Sequence, residues 1–296
     1  MADYSVLICT RNRADMLERT LDALDHQTRN GIPVTVVDQS TEPNPALAAR
    51  AERDPNLTVI NDAGQGLSRS RNIGWRSIGT EWLAILDDDC IPEPDWAEQI
   101  DHAIAAHPEA SYISGYVGTS ELPSDDYLPA TPSLIEEEAT VQGRWTLPWK
   151  IGLGVCLIVR NKTIEEIGGW DERLGTGTAS GFPASDDMDF NYRFLRSGGV
   201  AYVTPAIRAT HHQWRTAEDL VPLYEGYMVG WAGFAIKQLK SGDVPGGLML
   251  WAWSLVDLAR NMASAARRRS GLRFRITMRK LRGLVVGTTR ALRTKW

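Results

Sequence analysis

From Tyr4 to Ala106 the chain alternates short apolar runs with helix-length amphipathic segments, and few folds accept that pattern. Tyr4–Cys9, Pro33–Val37, Leu57–Ile60 and Trp82–Leu86 read as strands. Arg13–His26, Ala46–Arg53, Leu67–Ile78 and Asp95–Ala106 read as the helices between and after them. A strand–helix–strand repeat predicts an α/β fold with a mainly parallel sheet covered by helices on both faces. Ligands of such sheets gather at the carboxyl ends of the strands. Here those ends read Thr10-Arg11-Asn12-Arg13, Asp38-Gln39-Ser40 and Asp87-Asp88-Asp89, all polar.

Past a further strand at Ser111–Val117 the pattern loosens, and residues 118–149, rich in Pro, Ser and acids, read as an irregular excursion over the site. Leu153–Arg160 then reads as a strand, Lys162–Ile167 and Asp186–Arg196 as helices, and Ala201–Thr204 as extended chain. Ser185 stands where an N-cap for the second of these helices would be. From Thr216 onward the pattern is helical, over Ala217–Lys240, Leu248–Ala266 and about 272–292. The expected organisation is an α/β domain over 1–215, with halves at about 1–117 and 118–215, followed by a helical, basic region over 216–296. The three cysteines, Cys9, Cys90 and Cys156, form no CxxC pair, so neither a disulfide framework nor a structural zinc site is expected, and a reducing compartment fits best. The start of the chain shows no basic segment followed by an apolar core of the kind that marks a secretory signal. The longest apolar stretch, Gly246 to Val256, is shorter than the roughly 20 residues that cross a bilayer.

Charge is distributed unevenly. The net charge of −5 combines a stretch from Leu258 to Trp296 with twelve basic residues and no acid, and a remainder whose balance is −17. Trp251, Leu255, Leu258 and Met262 share one helical face, and Phe274, Met278, Leu281 and Val285 share another. Apolar faces bordered by bases resemble an interfacial anchor that lies on an anionic membrane surface without crossing it. The expected place of such a chain is the cytoplasm, peripheral on the inner face of the cell membrane. The competing fate of these helices is packing on the acidic domain, in cis or across a homodimer. Nucleic acid is not an expected partner, because no recognition module or aromatic base platform accompanies the charge.

Three strings carry chemistry. Asp87-Asp88-Asp89 closes an apolar strand, and three adjacent carboxylates repel one another unless a cation neutralises them. Hard oxygen ligands favour Mg²⁺ or Mn²⁺. Asp186-Asp187-Met188-Asp189 opens a helix with more acid than capping requires, and any of these carboxylates beside a metal site could take a proton from a substrate hydroxyl. The string Gly66 to Gly74 brackets a helix start with Arg69, Arg71 and Asn72, an arrangement that favours phosphate.

In this order the strings resemble the family-2 glycosyltransferases, inverting enzymes with the nucleotide-sugar-binding fold called GT-A. The resemblance covers about residues 4 to 212. Ser5 to Arg13 looks like the family's opening strand and loop, Val36 to Ser40 its base-recognition strand end, and Asp87 to Asp89 its metal motif. Gly168-Gly169-Trp170-Asp171-Glu172 and Leu174 to Gly177 look like the loop before its catalytic acidic pair. The resemblance implies that Thr10, Arg11, Arg13 and Asp38 hold the base and ribose of a nucleotide-sugar donor. Arg71 and Asn72 would face the donor, and Asp88 its ribose or sugar. Asp89 would be the main ligand of Mn²⁺ or Mg²⁺, with Asp87 nearby and His211, in preference to His212, completing the set. Asp187 would be the general base, with Asp186 on the acceptor side. Apart from the resemblance, Trp149 offers an aromatic face of the kind that stacks on sugars, a platform reading that competes with plain core packing. The donor nucleotide commonest in the family is UDP, and the implied acceptor is a hydroxyl of a lipid-linked or polysaccharide substrate. The chain departs from the family at Asp186, where glutamate is usual. A sugar nucleotidyltransferase would share the sheet and carboxylates, but its glycine-rich triphosphate loop is missing from Thr10-Arg11-Asn12-Arg13. An inactive scaffold with the same fold is the remaining alternative.

Overall fold

A computed structural model of the chain describes residues 2–28, 31–124, 126–129 and 135–296. In chain order the elements are β1 (Tyr4–Thr10), α1 (Ala14–Thr28), β2 (Val34–Asp38), α2 (Pro45–Arg53), β3 (Leu57–Asn61), α3 (Leu67–Ser77) and β4 (Trp82–Asp87). There follow β5 (Cys90–Pro92), α4 (Trp96–Ala106), β6 (Tyr112–Thr119), β7 (Tyr127–Pro129), β8 (Ala139–Val141) and a 3-10 turn at Pro148–Ile151. The rest comprises β9 (Cys156–Arg160), α5 (Asn161–Ile167), α6 (Asp186–Arg196), β10 (Ala201–His211), β11 (Trp214–Thr216), α7 (Ala217–Lys240), α8 (Val244–Arg267) and α9 (Gly271–Arg293).

The chain divides into two compact units. The first consists of Met1–Glu121, Thr131–Trp170 and Asp187–Gln213. Its sheet has the order β3-β2-β1-β4-β9-β6-β10-β5, with β8 added alongside β10. The β3-β2-β1-β4 block is parallel, as the alternation requires, and β10 also runs parallel to β6. Strand β9 enters antiparallel between β4 and β6. Because successive strand residues face opposite ways, β1 feeds two cores. Tyr4, Val6 and Ile8 pack with Leu17 and Leu21 of α1 and Trp96 and Ile100 of α4. Leu7 packs on the other face with Trp170, Phe190 and Phe194. Each such buried side chain contributes roughly 1.5–3 kcal/mol. Helix α3 lies so close to the sheet that a Cβ on Gly74 would stand 2.3 Å from Leu7 Cδ1.

Strand β10 runs past the expected stop at Thr204 to His211. The register shifts between Thr204 and Arg208, around Pro205, so the proline sits in a bulge rather than ending the strand. This extension pairs His211 with Cys90 across the antiparallel β5 edge. Conversely, β9 begins at Cys156, three residues after the expected Leu153. Part of the 118–149 excursion lies outside the described residues; the remainder holds β7, β8 and the 3-10 turn.

The second unit consists of Leu122–Ala130, Asp171–Asp186 and Trp214–Trp296. The segment 171–186 therefore groups with the helices, not with the residues around it in sequence. The reason is packing: Phe182 is fully buried, and a Cβ on Gly233 of α7 would meet its ring at 2.4 Å. Strand β11 pairs antiparallel with β7 in a small sheet of their own. Helices α7, α8 and α9 open on side-chain caps, with Thr216, Asp243 and Ser270 accepting from Asp219, Gly246 and Arg273 N–H. Such a cap is worth about 1 kcal/mol. Helices α7 and α9 approach closely because Gly283 and Gly287 face the carbonyls of Glu225 and Val229, where a Cβ would lie at 2.6 Å. Among the described residues no helix is long and apolar enough to cross a membrane.

Candidate active site

The parallel strands bring their polar ends into line. Thr10 lies opposite Asp38, and Cys9 opposite Asp87, in the registers of β1 with β2 and of β1 with β4. The Asp38 carboxylate is buried and accepts from the Ser40 N–H at 2.8 Å. Arg11 follows Thr10, and its Nε is buried with no hydrogen-bond partner among the described residues. Asn12 takes a left-handed turn (φ 56), from which its side chain accepts the Thr41 N–H.

The three aspartates after β4 are held differently. Asp88 Oδ2 accepts from the Thr10 hydroxyl at 2.7 Å, while Oδ1 meets Arg13 NH1 at 2.9 Å. The same Arg13 nitrogen reaches Asp89 Oδ2 at 2.9 Å, and His211 Nε2 lies 2.9 Å from Asp89 Oδ1. Asp87 is 3.4 Å from Arg71 NH2. Burial pushes the Asp87 carboxyl up to about 6, against the opposing pull of Arg71. Burial also raises Asp88, in spite of Arg13 and Thr10. For Asp89 burial acts the same way, but His211 and Arg13 outweigh it and hold the carboxyl below its ordinary value. Burial would depress His211, yet its bond to Asp89 leaves the imidazole above its ordinary value. Burial, with the charge of Arg19 adding to it, lowers His212; its backbone N–H donates to the Asp89 carbonyl at 2.8 Å.

Asp89, Cys90 and His211 place ligand atoms within 4.8 Å of one another. Burial drives the Cys90 thiol well above its ordinary pKa, with Asp87 and Asp89 adding to the effect, and its soft sulfur is not the donor that a hard cation prefers. The remaining carboxylate and imidazole groups fit a divalent cation of the Mn²⁺ or Mg²⁺ type, and a cation would also relieve the carboxylate crowding around Asp87.

Asp187, in the first turn of α6, is reached from this cluster through one backbone position. Arg71 NH2 donates to the Gly154 carbonyl at 2.9 Å, and the Gly154 N–H approaches Asp187 Oδ2 at 3.3 Å. The other carboxylate oxygen accepts the Met188 N–H at 2.7 Å. A Cβ on Gly154 would stand 3.0 Å from Asp187 Cβ and 3.1 Å from Arg71 NH1. Asp186 is buried beneath Gly175, whose φ of +106 and lack of a Cβ let the 171–186 segment close over the carboxylate. Ser185 has φ 71, outside the extended region an N-cap adopts, so the expected cap is replaced by a left-handed turn into the helix.

Asn72 does something the sequence did not foretell. Its amide donates to the Trp170 carbonyl at 2.8 Å and accepts the Trp170 N–H at 2.9 Å, fastening α3 to the Gly168-Gly169-Trp170 turn. Trp170 in turn stacks on Phe190 of α6 at 4.3 Å. Trp149 lies half-buried in the 3-10 turn, and Trp145 is exposed with Arg196 4.5 Å over its ring. Three contributors escaped the sequence reading. Gly154 bridges Arg71 and Asp187, Thr20 donates to the Asp88 carbonyl at 2.9 Å, and Trp170 anchors Asn72. Gly154 left a trace as a glycine in a segment that otherwise reads as strand, and Trp170 stood in the Gly168 to Glu172 string without its bond to Asn72 being legible.

A sheet of this order, with carboxylates after β4 and an acid at the head of α6, is the GT-A architecture of glycosyltransferases. The same fold is seen in a mannosyltransferase from Pyrobaculum calidifontis, solved in complex with GDP-Man and Mn²⁺, with a TM-score of 0.62 and 18% identity over 99% of this chain and 88% of that one. Residues 5–168 match the model of glycosyl transferase family 2, and the chain belongs to that family. An uncharacterized glycosyltransferase of Haemophilus influenzae is 25% identical over 192 residues, 65% of this chain and 62% of the relative. A chondroitin synthase of Pasteurella multocida is 23% identical over 242 residues, 71% of this chain and 24% of the relative. The chain thus spans less than two thirds of the length of these curated relatives.

Proposed function

We propose that the chain transfers a sugar, with inversion, from a metal-bound nucleoside diphosphate sugar to an acceptor hydroxyl. The observation that carries this reading is the continuous link from Asp87 through Arg71 and Gly154 to Asp187. It ties the carboxylates suited to the donor's cation to a carboxylate suited to an acceptor's proton.

In this reading Asp38, Thr10, Arg11 and Arg13 hold the base and ribose; the partnerless Nε of Arg11 supports a ligand acceptor beside it. Asp88 faces the ribose or sugar. Arg71 counters donor charge, and Asn72 acts on the donor side by setting the Trp170 turn. Asp89 and His211, with Asp87 beside them, would hold the cation, and the imidazole tilts the set toward Mn²⁺ over Mg²⁺. When bound, such a cation stabilises charge growing on the departing diphosphate. Asp187 accepts the proton of the acceptor hydroxyl as that oxygen attacks the anomeric carbon on the face opposite the leaving group. The Gly154 and Met188 N–H groups fix the orientation of its carboxylate. Asp186 and Trp149 border the acceptor.

UDP is the expected nucleotide, and a lipid-linked or growing saccharide the expected acceptor; synthases of chondroitin and hyaluronan among the relatives support the saccharide part. Residues 1–215 form the catalytic part in this reading, and 216–296 hold it to an anionic membrane surface on the cytoplasmic side. A thermal-shift screen of nucleoside diphosphates with and without Mn²⁺ tests the donor site. A metal-dependent rise with one nucleotide, lost in Asp89→Asn, is expected. No shift with any nucleotide, and no donor hydrolysis, would overturn the reading.

A further inference from the structure

Helices α8 and α9 run antiparallel, because Trp251 pairs with Thr288, Asp257 with Lys280 and Ser264 with Arg273. At about 100° per residue, Leu248, Leu255 and Met262 fall within an arc of roughly 60° on α8, beside Trp251. On α9, Phe274, Met278, Leu281, Val285 and Leu292 fall within a similar arc, beside Thr288. The Trp251–Thr288 bond marks one side of the seam between the helices, and the Asp257–Lys280 pair marks the other. Both arcs therefore open on the Trp251–Thr288 side and form one apolar face. Every member is exposed, from 37% at Met262 to 59% at Leu292. An apolar face of this extent on a water-soluble surface marks a binding site.

Its border identifies the occupant. Arg275, Arg279, Arg282 and Arg293 line the outer flank of the α9 arc, and no acid occurs from Leu258 to Trp296. Along this flank lies a groove of about 650 Å³ lined by Phe274 and Met278, by Val221 and Pro222 of α7, and by Arg275, Arg279 and Arg282. Arg279 and Arg282 share Glu225, at 3.0 and 3.2 Å, and Glu218 also lines the groove. Three guanidiniums against two carboxylates leave one positive charge, and Arg275 has no ion pair among the described residues. One positive charge over an apolar floor complements one phosphodiester with its acyl chains.

We propose that this groove seats the phosphodiester headgroup of an anionic phospholipid while the apolar face of α8 and α9 lies at the acyl boundary of the leaflet. The proposal rests on the membrane-surface reading above and adds a site to it. A diffuse basic surface would treat all flank arginines alike; a groove would not.

Arg275 and Arg293 provide the comparison. They stand five turns apart at the same azimuth of α9, so Arg275→Glu and Arg293→Glu change charge equally, but only the first lies in the groove. The full chain is floated with phosphatidylcholine vesicles with and without phosphatidylglycerol. Binding to the phosphatidylglycerol vesicles is expected to fall about tenfold further in Arg275→Glu than in Arg293→Glu, with Arg275→Gln between them. Leu281→Ser/Val285→Ser is expected to lose binding to those vesicles although its charge is intact. Equal losses in the two glutamate variants would overturn the groove and leave membrane attachment standing. Failure of the unmodified chain to float would overturn both, and unchanged binding of the serine variant would remove the apolar face.

Discussion

Lys237→Met tests how much the Lys237–Asp171 ion pair adds to the packing that holds the 171–186 segment to α7. Lys237 Nζ lies 2.7 Å from Asp171 Oδ2, and the two side chains are 10% and 9% exposed. Asp171 also accepts from Arg173 Nε and NH2 at 2.8 Å. Removing one partner of a buried pair costs roughly 3–5 kcal/mol, because the other charge stays buried. Arg173 still compensates Asp171 in the variant, so the lower end, about 3 kcal/mol, is expected. Methionine keeps the length and helix propensity of lysine, which leaves the lost charge as the main change. At about 2 °C per kcal/mol for a chain of this size, the melting temperature should fall by about 6 °C at neutral pH. The pH dependence gives a second reading. Burial would raise the Asp171 carboxyl, but Arg173 and Lys237 hold it below its ordinary value. The stabilisation is therefore complete above the unfolded-state value, near pH 3.9, and is lost as pH falls through the depressed folded value. The gap between the native chain and the variant should stay constant from neutral pH to about 4 and narrow only below it. A double-mutant cycle with Asp171→Asn should give a coupling of about 2 kcal/mol. A melting temperature within about 1 °C of the native chain, with no coupling in the cycle, would refute the argument.

Asp187→Asn should retain donor binding and lower turnover by about 10²–10⁴-fold, measured as sugar transfer to a saccharide acceptor; near-native turnover would remove Asp187 from the base role. Asp89→Asn should weaken Mn²⁺-dependent nucleotide binding, read by titrating the metal in calorimetry, and an unchanged titration would count against its place in the cation site. Gly154→Ala forces a methyl to 3.0 Å from Asp187 Cβ, so turnover should fall about tenfold or more while the melting temperature changes little. Asn72→Ala removes both bonds to Trp170, and should lower the melting temperature by several degrees as well as activity; loss of activity alone would mean Asn72 contacts the donor directly.

The parallel half of the first unit was legible because its signal is local. Each strand from β1 to β3 is a short apolar run with a helix after it, β4 reaches α4 through the short β5, and the polar strings that begin at Thr10, Asp38 and Asp87 follow directly from where the runs stop. The resemblance carried the acidic pair and His211 into the same picture. What stayed hidden depends on contacts distant in sequence. Pro205 reads as a strand end, and only the pairing of β10 with β6 and β5 shows that the strand continues through a bulge to His211. Asn72 sits among arginines and reads as a donor contact; its bonds to the Trp170 backbone, 98 residues away, leave no mark in the sequence. Likewise the role of Gly154 comes from Arg71 on one side and Asp187 on the other, and neither is near it in sequence.

The segment 171–186 shows how such long-range contacts reach the chemistry. It ends at Asp186, one residue before the proposed base, and it takes its conformation within the second unit. That conformation is dictated by the C-terminal helices. Gly230 and Gly233 of α7 leave room for Ala184 and Phe182, where a Cβ would stand 2.6 Å from the Ala184 carbonyl and 2.4 Å from the Phe182 ring. Arg290 of α9 donates to the Gly181 carbonyl, and Trp296 covers Phe182 at 5.2 Å between ring centres. Arg173 closes the arrangement, lying 4.9 Å over the Trp296 ring while holding Asp171. Helix α9 thus does more than carry basic charge, and it acts together with α7. Their inner faces brace the segment that leads to the acidic pair, whereas the exposed arc of α9 points away from that bracing. Substitutions on the two faces of α9 should therefore separate: inner-face changes lower the melting temperature, and outer-face changes leave it in place while altering the vesicle binding proposed above.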